Sequence, residues 1–429
     1  MIAPLIERAA RRTELADAIL KNDETTTLSF TAGRLSHAAT SRSQGVNLRV
    51  VAEGRLGIAG STAEDPDELL DAALVSARGG DPVTLGLPRP GVVPQVVTHA
   101  ARAASATLND LAGIGSMIRD RLAGAHAELN LTVERSLGSV RVANTNGVDA
   151  SYDVSQVTVA VELSRQQGDR RITLQTSLSG CDLPSLTAIE ELVAGLRQRL
   201  AWSEQETAPA TGTQPVLFLP SALPLLLQPL ELAVLGKAAM HGTSPIAARR
   251  GTRLFSDLVH VQDNPLAPGR PGSRPVDDEG VVSRPTTLVR AGVFESLLYD
   301  LETATRTGNP ATGHGRRSTF GKPQPSCTNI VVEPGTQDWA ELLRTLGDGV
   351  VVERLRGWPT GHAIGGTFAQ PAAVAWRASG GEIAGIAPEL TVAGNAYDLL
   401  TRVVALGSES RWYGSRSAPA MLVEGVAVF

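Results

Sequence analysis

The residues best placed to do chemistry lie between 274 and 318. Three carboxylates in a row, Asp277, Asp278 and Glu279, end at Gly280. Adjacent carboxylates repel at close range, so such a run faces water or a cation. Downstream lies a basic loop rich in glycine, Gly313-His314-Gly315-Arg316-Arg317. Paired arginines suit an anion or a peptide carboxylate, and flanking glycines let the backbone approach it closely. Two readings stand: a solvated turn beside an exposed basic loop, or two walls of one cleft or partner surface built from Asp277, Asp278, Glu279, His314, Arg316 and Arg317. A second glycine-rich region follows at Thr360-Gly361-His362 and Gly365-Gly366-Thr367-Phe368. Its glycines mark tight turns or close backbone approach.

Other familiar machinery is absent from the sequence. There is no phosphate-binding P-loop, no GxGxxG after a strand and no GxSxG nucleophile elbow. Cys327, in Pro-Ser-Cys-Thr-Asn, reads as a small core residue. Zinc needs three or four His, Cys or carboxylate donors, two of them usually close in sequence. The histidines are His37, His99, His126, His241, His260, His314 and His362, and no two sit at helical ligand spacing. A site from distant residues, such as His241, His314 and Glu279, is not predicted.

Composition narrows the function classes. The chain has 429 residues, 42% apolar and 19% charged, as expected of an ordinary globular protein of two or three domains. A net charge of −5 and 4% aromatic content argue against a basic nucleic-acid surface or a base-stacking platform. Before Trp202 the only aromatic residues are Phe30 and Tyr152, so aromatic anchors for binding belong to the second half. Two cysteines, Cys181 and Cys327, provide no disulfide framework. The N-terminus lacks an uninterrupted apolar core, and the most apolar stretch, 221–236, is broken by Pro224 and Pro229. The expectation is a cytoplasmic protein without a membrane segment.

The elements that must position these residues follow from periodicity and turn chemistry. Helical spacing of apolar residues predicts a helix over 2–20. Strands are expected over 28–37, 45–53 and 56–59, with Asn47 and Arg49 alternating against Val46, Leu48 and Val50. Asp65-Pro66-Asp67 starts a helix that Gly79-Gly80 ends. A proline- and glycine-rich connection over 81–95 leads to a long helix over 100–127. Strands follow over 128–135, 140–143, 155–164 and 171–178, with a hairpin at Asn144-Thr145-Asn146-Gly147. A helix over 183–202 precedes a polar boundary at 203–214. Beyond it come a strand over 215–219, a helix from about 221 toward Met240, then mostly short strands with helices near 300–307, 339–346 and 396–405. The reading is an α+β protein. Its N-terminal domain, 1–205, has mixed sheets with helices and divides as 1–85 and 96–205. Its C-terminal domain, 215–429, is β-rich and barrel-like.

An ordered series of short motifs runs through the chain. It starts with Gly45-Val46-Asn47-Leu48-Arg49-Val50, the turn Glu53-Gly54-Arg55-Leu56-Gly57 and the helix over 67–77. It continues with Asp277-Asp278-Glu279-Gly280, Ala291-Gly292-Val293, Asp300, Thr303-Ala304, Thr312-Gly313 and Arg316-Arg317. It closes with Thr328-Asn329, Asp348-Gly349, Thr360-Gly361 and Ala393-Gly394-Asn395. In this order the series resembles the TldD/PmbA family, whose PmbA branch is also called TldE. TldD-like members look like zinc metallopeptidases with an HExxxH helix and a C-terminal cysteine ligand. The corresponding helix here reads Leu226-Leu227-Gln228-Pro229-Leu230-Glu231, and no cysteine occurs over 407–420, where Ser410-Arg411-Trp412-Tyr413 stands.

The resemblance therefore implies a PmbA/TldE-like subunit without zinc or another cofactor of its own, inactive alone. Zinc is expected only in a TldD-like partner, within a homo- or hetero-oligomer that degrades unfolded peptides. The family is linked to peptide-antibiotic maturation and to modulation of DNA gyrase. Two alternatives remain open at this point. One is an active peptidase with a non-standard metal site, for example Asp278, Glu279 and a distant histidine. The other is a gyrase-directed binding protein without proteolytic role; the acidic net charge speaks against direct DNA binding.

Overall fold

A computed structural model describes residues 1–63, 65–168, 170–357 and 363–429. Two sheets dominate it. The first takes strands β1 (Leu15–Thr31), β2 (Arg34–Ala52), β3 (Arg55–Ser61), β4 (Glu128–Asn144), β5 (Asp149–Gln167) and β6 (Arg170–Gly180) in the order β3-β2-β1-β4-β5-β6. All its pairings are antiparallel, and it draws strands from both 1–85 and 96–205. Asn144 sets the β4–β5 turn: its side-chain oxygen accepts the Asn146 and Val148 amides.

The second sheet closes on itself. Strand β7 (Gly212–Phe218) pairs with Gly349–Leu355, which continues through Thr367–Ser379, Thr391–Asn395 and Arg416–Val428 back to β7, a closed five-stranded barrel. Its strands read as continuous apolar runs because both faces are buried. Val216 and Phe218, Val350 and Val352, Met421 and Val423 join one core around the helix Pro224–Ala233. The alternate residues Leu217, Val351 and Leu422 join a second core shared with helices Leu108–Leu122, Leu186–Trp202 and Trp339–Leu346. Trp376, fully buried, meets Trp202 edge-on at 5.5 Å, and Trp202 stacks on Trp339 at 6.1 Å.

Several expected elements differ. The helix predicted over 2–20 ends at Ala9, and Leu15–Thr31 is a strand. Pairing on both sides, with β2 and β4, outweighs the helical spacing there. The long helix over 100–127 is two, Ala101–Ser105 and Leu108–Leu122, because Thr107 and Asp110 form a capping box that starts the second. The helix from 221 toward Met240 is likewise two, Pro224–Ala233 and Gly236–Met240, separated where the Gly236 amide donates to the Leu298 carbonyl. Near 396–405 the helix stops at Leu400 and a strand starts at Val403. The helix capped by Asp65, with Gly79 as its C-cap, stands as expected.

Candidate functional site

The acidic run is not on the surface. Asp277, Asp278 and Glu279 are 1%, 3% and 0% exposed, so the solvated turn and the open cleft wall are both replaced by a buried seam. Each carboxylate has its own partners. Both Asp277 oxygens accept backbone amides, from Glu279 and Val281 at 2.9 Å and from Gly315 at 2.8 Å. Asp278 accepts Lys21 Nζ at 2.6 Å and the Arg317 amide at 2.9 Å. Glu279 accepts Arg49 Nη1 at 2.6 Å and the Leu301 amide at 2.8 Å.

Two of the cations, Lys21 and Arg49, come from the first sheet, whereas Arg274, with Nη1 3.8 Å from Asp278, and Arg317 lie on the run's own segment and on the loop after it. Asp17 on β1 faces Arg49 on β2, and Arg49 grips it with Nε at 2.8 Å and Nη2 at 2.9 Å. Arg317 Nη2 adds a third bond to Asp17 at 2.7 Å, and Arg317 Nη1 reaches Asn47 at 3.3 Å. Asn47 donates to the Thr319 and Gly321 carbonyls. The seam thus ties the first sheet to the loop after residue 313. Burial alone would raise the Asp17 carboxyl, but Arg317 and Arg49 outweigh it and hold it below its ordinary range. Glu279 goes the other way. Burial, aided by Asp277 and Asp300 and opposed by Arg49, pushes it up to about 8. Arg49 keeps its charge through Asp17, so Glu279 is the member that takes up a proton.

The basic loop divides. Arg317 belongs to the seam, whereas Arg316 is exposed. His314 is fully buried elsewhere, between Thr312 at 2.9 Å and Asp263 at 3.1 Å, and Asp263 also accepts the Thr328 hydroxyl. His314 and Glu279 therefore have separate partners, and His241 is exposed; the three share no site. Thr360, Gly361 and His362 lie outside the described residues. Sequence reasoning missed Asp17, Lys21, Asn47 and Arg49, which simple alternation puts on a solvent face. Their signal was the presence of Asn and Arg in a strand otherwise rich in Val and Leu.

The donor set does not fit the zinc that the fold family implies. Helix Pro224–Ala233 is lined by Leu225, Leu226, Leu227, Pro229 and Leu230, all buried. Its one acidic residue, Glu231, is held by Arg416 through two bonds of 2.5 and 2.6 Å. The Cys327 thiol beside it bonds the Glu231 carbonyl, and burial with Asp263 and Glu231 nearby keeps it well above its ordinary range. Among the described residues no group of three or more His, Cys, Asp or Glu is placed to hold a metal ion.

The most inviting feature is a cleft along β6, an edge strand. Two adjoining hollows of about 550 and 520 Å³ share Gln175, Thr176, Ser177, Ser221 and Tyr413. Residues two apart on a strand present their backbone groups to the same side. The Thr173 carbonyl accepts Arg354 Nη2 at 3.1 Å and the Ser179 carbonyl accepts Arg270 Nη1 at 3.3 Å, so odd-numbered residues face outward. The β5–β6 register has no shift, so Gln175 and Ser177 face outward too. Among the described residues nothing bonds their amides or carbonyls. Arg270 lies over the Trp412 ring at 4.6 Å, which puts aromatic residues of the second half at this cleft. Its floor is fixed by Glu353, which accepts Arg199 at 2.6 Å and the Trp376 indole at 2.8 Å. This edge can hydrogen-bond an extended peptide without reading its side chains.

Comparison with known proteins places the fold. Residues 211–429 match the model of the PmbA/TldA metallopeptidase C-terminal domain, and residues 16–77 match that of PmbA/TldA metallopeptidase domain 1. A protein of Methanothermobacter thermautotrophicus named a metalloprotease is 25% identical over 421 residues, 93% of this chain and 89% of its own length. The crystal structure of TldE from Thermococcus kodakarensis superposes with a TM-score of 0.91 at 22% identity, covering 99% of each chain. A Thermotoga maritima structure proposed as a modulator of a DNA gyrase also gives 0.91, at 20% identity, over 100% of this chain and 99% of its own. The fold is TldE-like, and with the C-terminal model spanning the whole barrel region the chain belongs to the PmbA/TldD metallopeptidase family.

Proposed function

We propose that this chain is a non-catalytic TldE-like subunit that works with a TldD-like metallopeptidase and holds unfolded peptide for it. The observation that carries this reading is the helix Pro224–Ala233. It offers leucines and prolines where a zinc peptidase needs donors, and it commits Glu231 to Arg416. A hydrolytic zinc site requires an activated water on a metal held by protein ligands. The other carboxylates that sequence alone left as donors, Asp278 and Glu279, are bonded to Lys21 and Arg49. The β6 edge supports the peptide part: main-chain pairing accepts any extended sequence, as the handling of unfolded chains demands.

Cleavage of an unfolded peptide by the purified chain, alone and mixed with a TldD-like subunit, tests this. Activity is expected only in the mixture. Hydrolysis by the chain alone overturns the non-catalytic assignment. Equal hydrolysis by the TldD-like subunit with and without this chain overturns the partnership.

A further inference from the structure

One cation in the cleft along β6 has no anion to answer it. The Gly269 carbonyl accepts the Cys181 amide at 2.9 Å, and the Gly269 amide donates to the Val97 carbonyl at 2.7 Å. Gly269 has a φ of +68°, and an added Cβ would lie 3.0 Å from the Cys181 sulfur, so only glycine fits this turn against the end of β6. The turn brings the next residue, Arg270, to the strand edge. Its guanidinium lies over the Trp412 ring, and Nη1 donates to the Ser179 carbonyl at 3.3 Å. A guanidinium carries several N–H donors. Among the described residues only Nη1 of Arg270 has an acceptor, and no carboxylate pairs with it. Burial lowers the Arg270 pKa from its ordinary value, and the Cys181 thiol, not an acid, is what opposes this. The acids around the cleft are engaged or remote. Glu353 holds Arg199, Glu162 accepts the Gln175 side-chain amide at 2.6 Å, Asp182 lies 3.5 Å from Arg102, and Glu191 is exposed on its helix. At the other end Arg354 is different: it is bonded to the Gln175 side-chain oxygen at 2.6 Å and backed by Glu353 and Glu162.

We infer that Arg270 is a carboxylate subsite of this cleft, taking the C-terminal carboxylate or an acidic side chain of a peptide paired with Gln175 and Ser177. It rests on the peptide-holding reading above and adds what the cleft selects. Ser177 and Ser179 are about 7 Å apart along the strand, so a peptide leaving Ser177 meets the guanidinium within two residues. The donors that Ser179 does not use suit a bidentate carboxylate. Trp412 holds the guanidinium in place beforehand, so little side-chain freedom remains to be lost on binding. A C-terminal carboxylate at Arg270 sets the peptide parallel to β6.

The test is a fluorescence titration of the full chain with one labelled unfolded peptide, otherwise free of acidic residues, in three forms. One has a free C-terminus, one an amidated C-terminus, and one is amidated with aspartate as its last residue. At least one carboxylate-bearing form is expected to bind about tenfold more tightly than the neutral amide. A gain by the free acid alone identifies the terminus as the source, and a gain by the aspartate form alone identifies the side chain. Arg270→Gln is expected to abolish the preference; should it misfold, Arg270→Met, which keeps an apolar stem against Trp412, takes its place. Equal affinity of the wild type for all three forms overturns the subsite and leaves the peptide-holding reading standing. A preference that persists without Arg270 also overturns it. Failure of every form to bind overturns the peptide-holding reading and the subsite with it.

Discussion

Replacing Glu279 by glutamine should flatten the pH dependence of stability. Glu279 is 0% exposed and is pushed up to about 8, first by burial and then by Asp277 and Asp300, against the pull of Arg49. Its ordinary value is 4.5. Between these values the folded chain keeps a proton that the unfolded chain has lost. The unfolded state then binds fewer protons, so stability falls as pH rises. The contribution is whole below the unfolded value and is lost as pH climbs through the folded one. One full proton difference changes stability by about 1.4 kcal/mol per pH unit. Across the window the ceiling is about 5 kcal/mol, and with relaxation around the seam a loss of about 2–4 kcal/mol from pH 5 to 8 is expected. In Glu279→Gln the new amide oxygen still accepts the Leu301 amide, but the charge-assisted bond to Arg49 is lost, at about 1 kcal/mol. The variant should therefore be slightly weaker at pH 5 and equal to or better than wild type at pH 8. Urea midpoints and slopes at pH 5, 6, 7 and 8 measure this. The reasoning fails if both proteins show the same slope, or if the wild type gains stability over that range.

Three further outcomes follow from the same geometry. Arg49→Met leaves the buried Asp17 carboxylate with Arg317 as its one cation and takes the guanidinium from Glu279, and should cost about 3 kcal/mol in urea unfolding, the low end for breaking a buried pair. Gly115→Ala drives a methyl into the Phe30 ring; overpacking of about 1–3 kcal/mol outweighs about 1 kcal/mol of helix propensity, and thermal unfolding should shift down. Ser177→Pro removes an outward amide from an edge strand, where proline is tolerated, and should weaken binding of an unfolded peptide about tenfold in a fluorescence titration with little change in unfolding midpoint.

How much could be read from the chain depended on whether the signal was local. Asp65-Pro66 and Gly79 fixed a helix at both ends because caps are local chemistry. Asn144–Gly147 fixed a hairpin for the same reason. The barrel runs at 216–218, 350–352 and 421–423 announce strands buried on both faces, but not that they close on one another. The start of the strand Leu15–Thr31, as far as Leu20, was hidden, because its apolar spacing fits a helix and only its two neighbours settle it. The acidic run was legible as a cluster that needs cations, but two of them, Lys21 and Arg49, lie over 220 residues away and could not be paired with it from sequence. The β6 cleft left no trace in sequence, since Gln175, Ser221, Glu353 and Trp412 meet only in the fold.

The most direct measurement of the non-catalytic assignment is the zinc content of the purified chain after incubation with zinc and exhaustive dialysis, read beside its peptidase activity. The helix Pro224–Ala233, with no histidine and with Glu231 bound to Arg416, predicts zinc far below stoichiometric and no hydrolysis until a TldD-like subunit is added. A full equivalent of retained zinc, with peptide hydrolysis that a chelator abolishes, would contradict it.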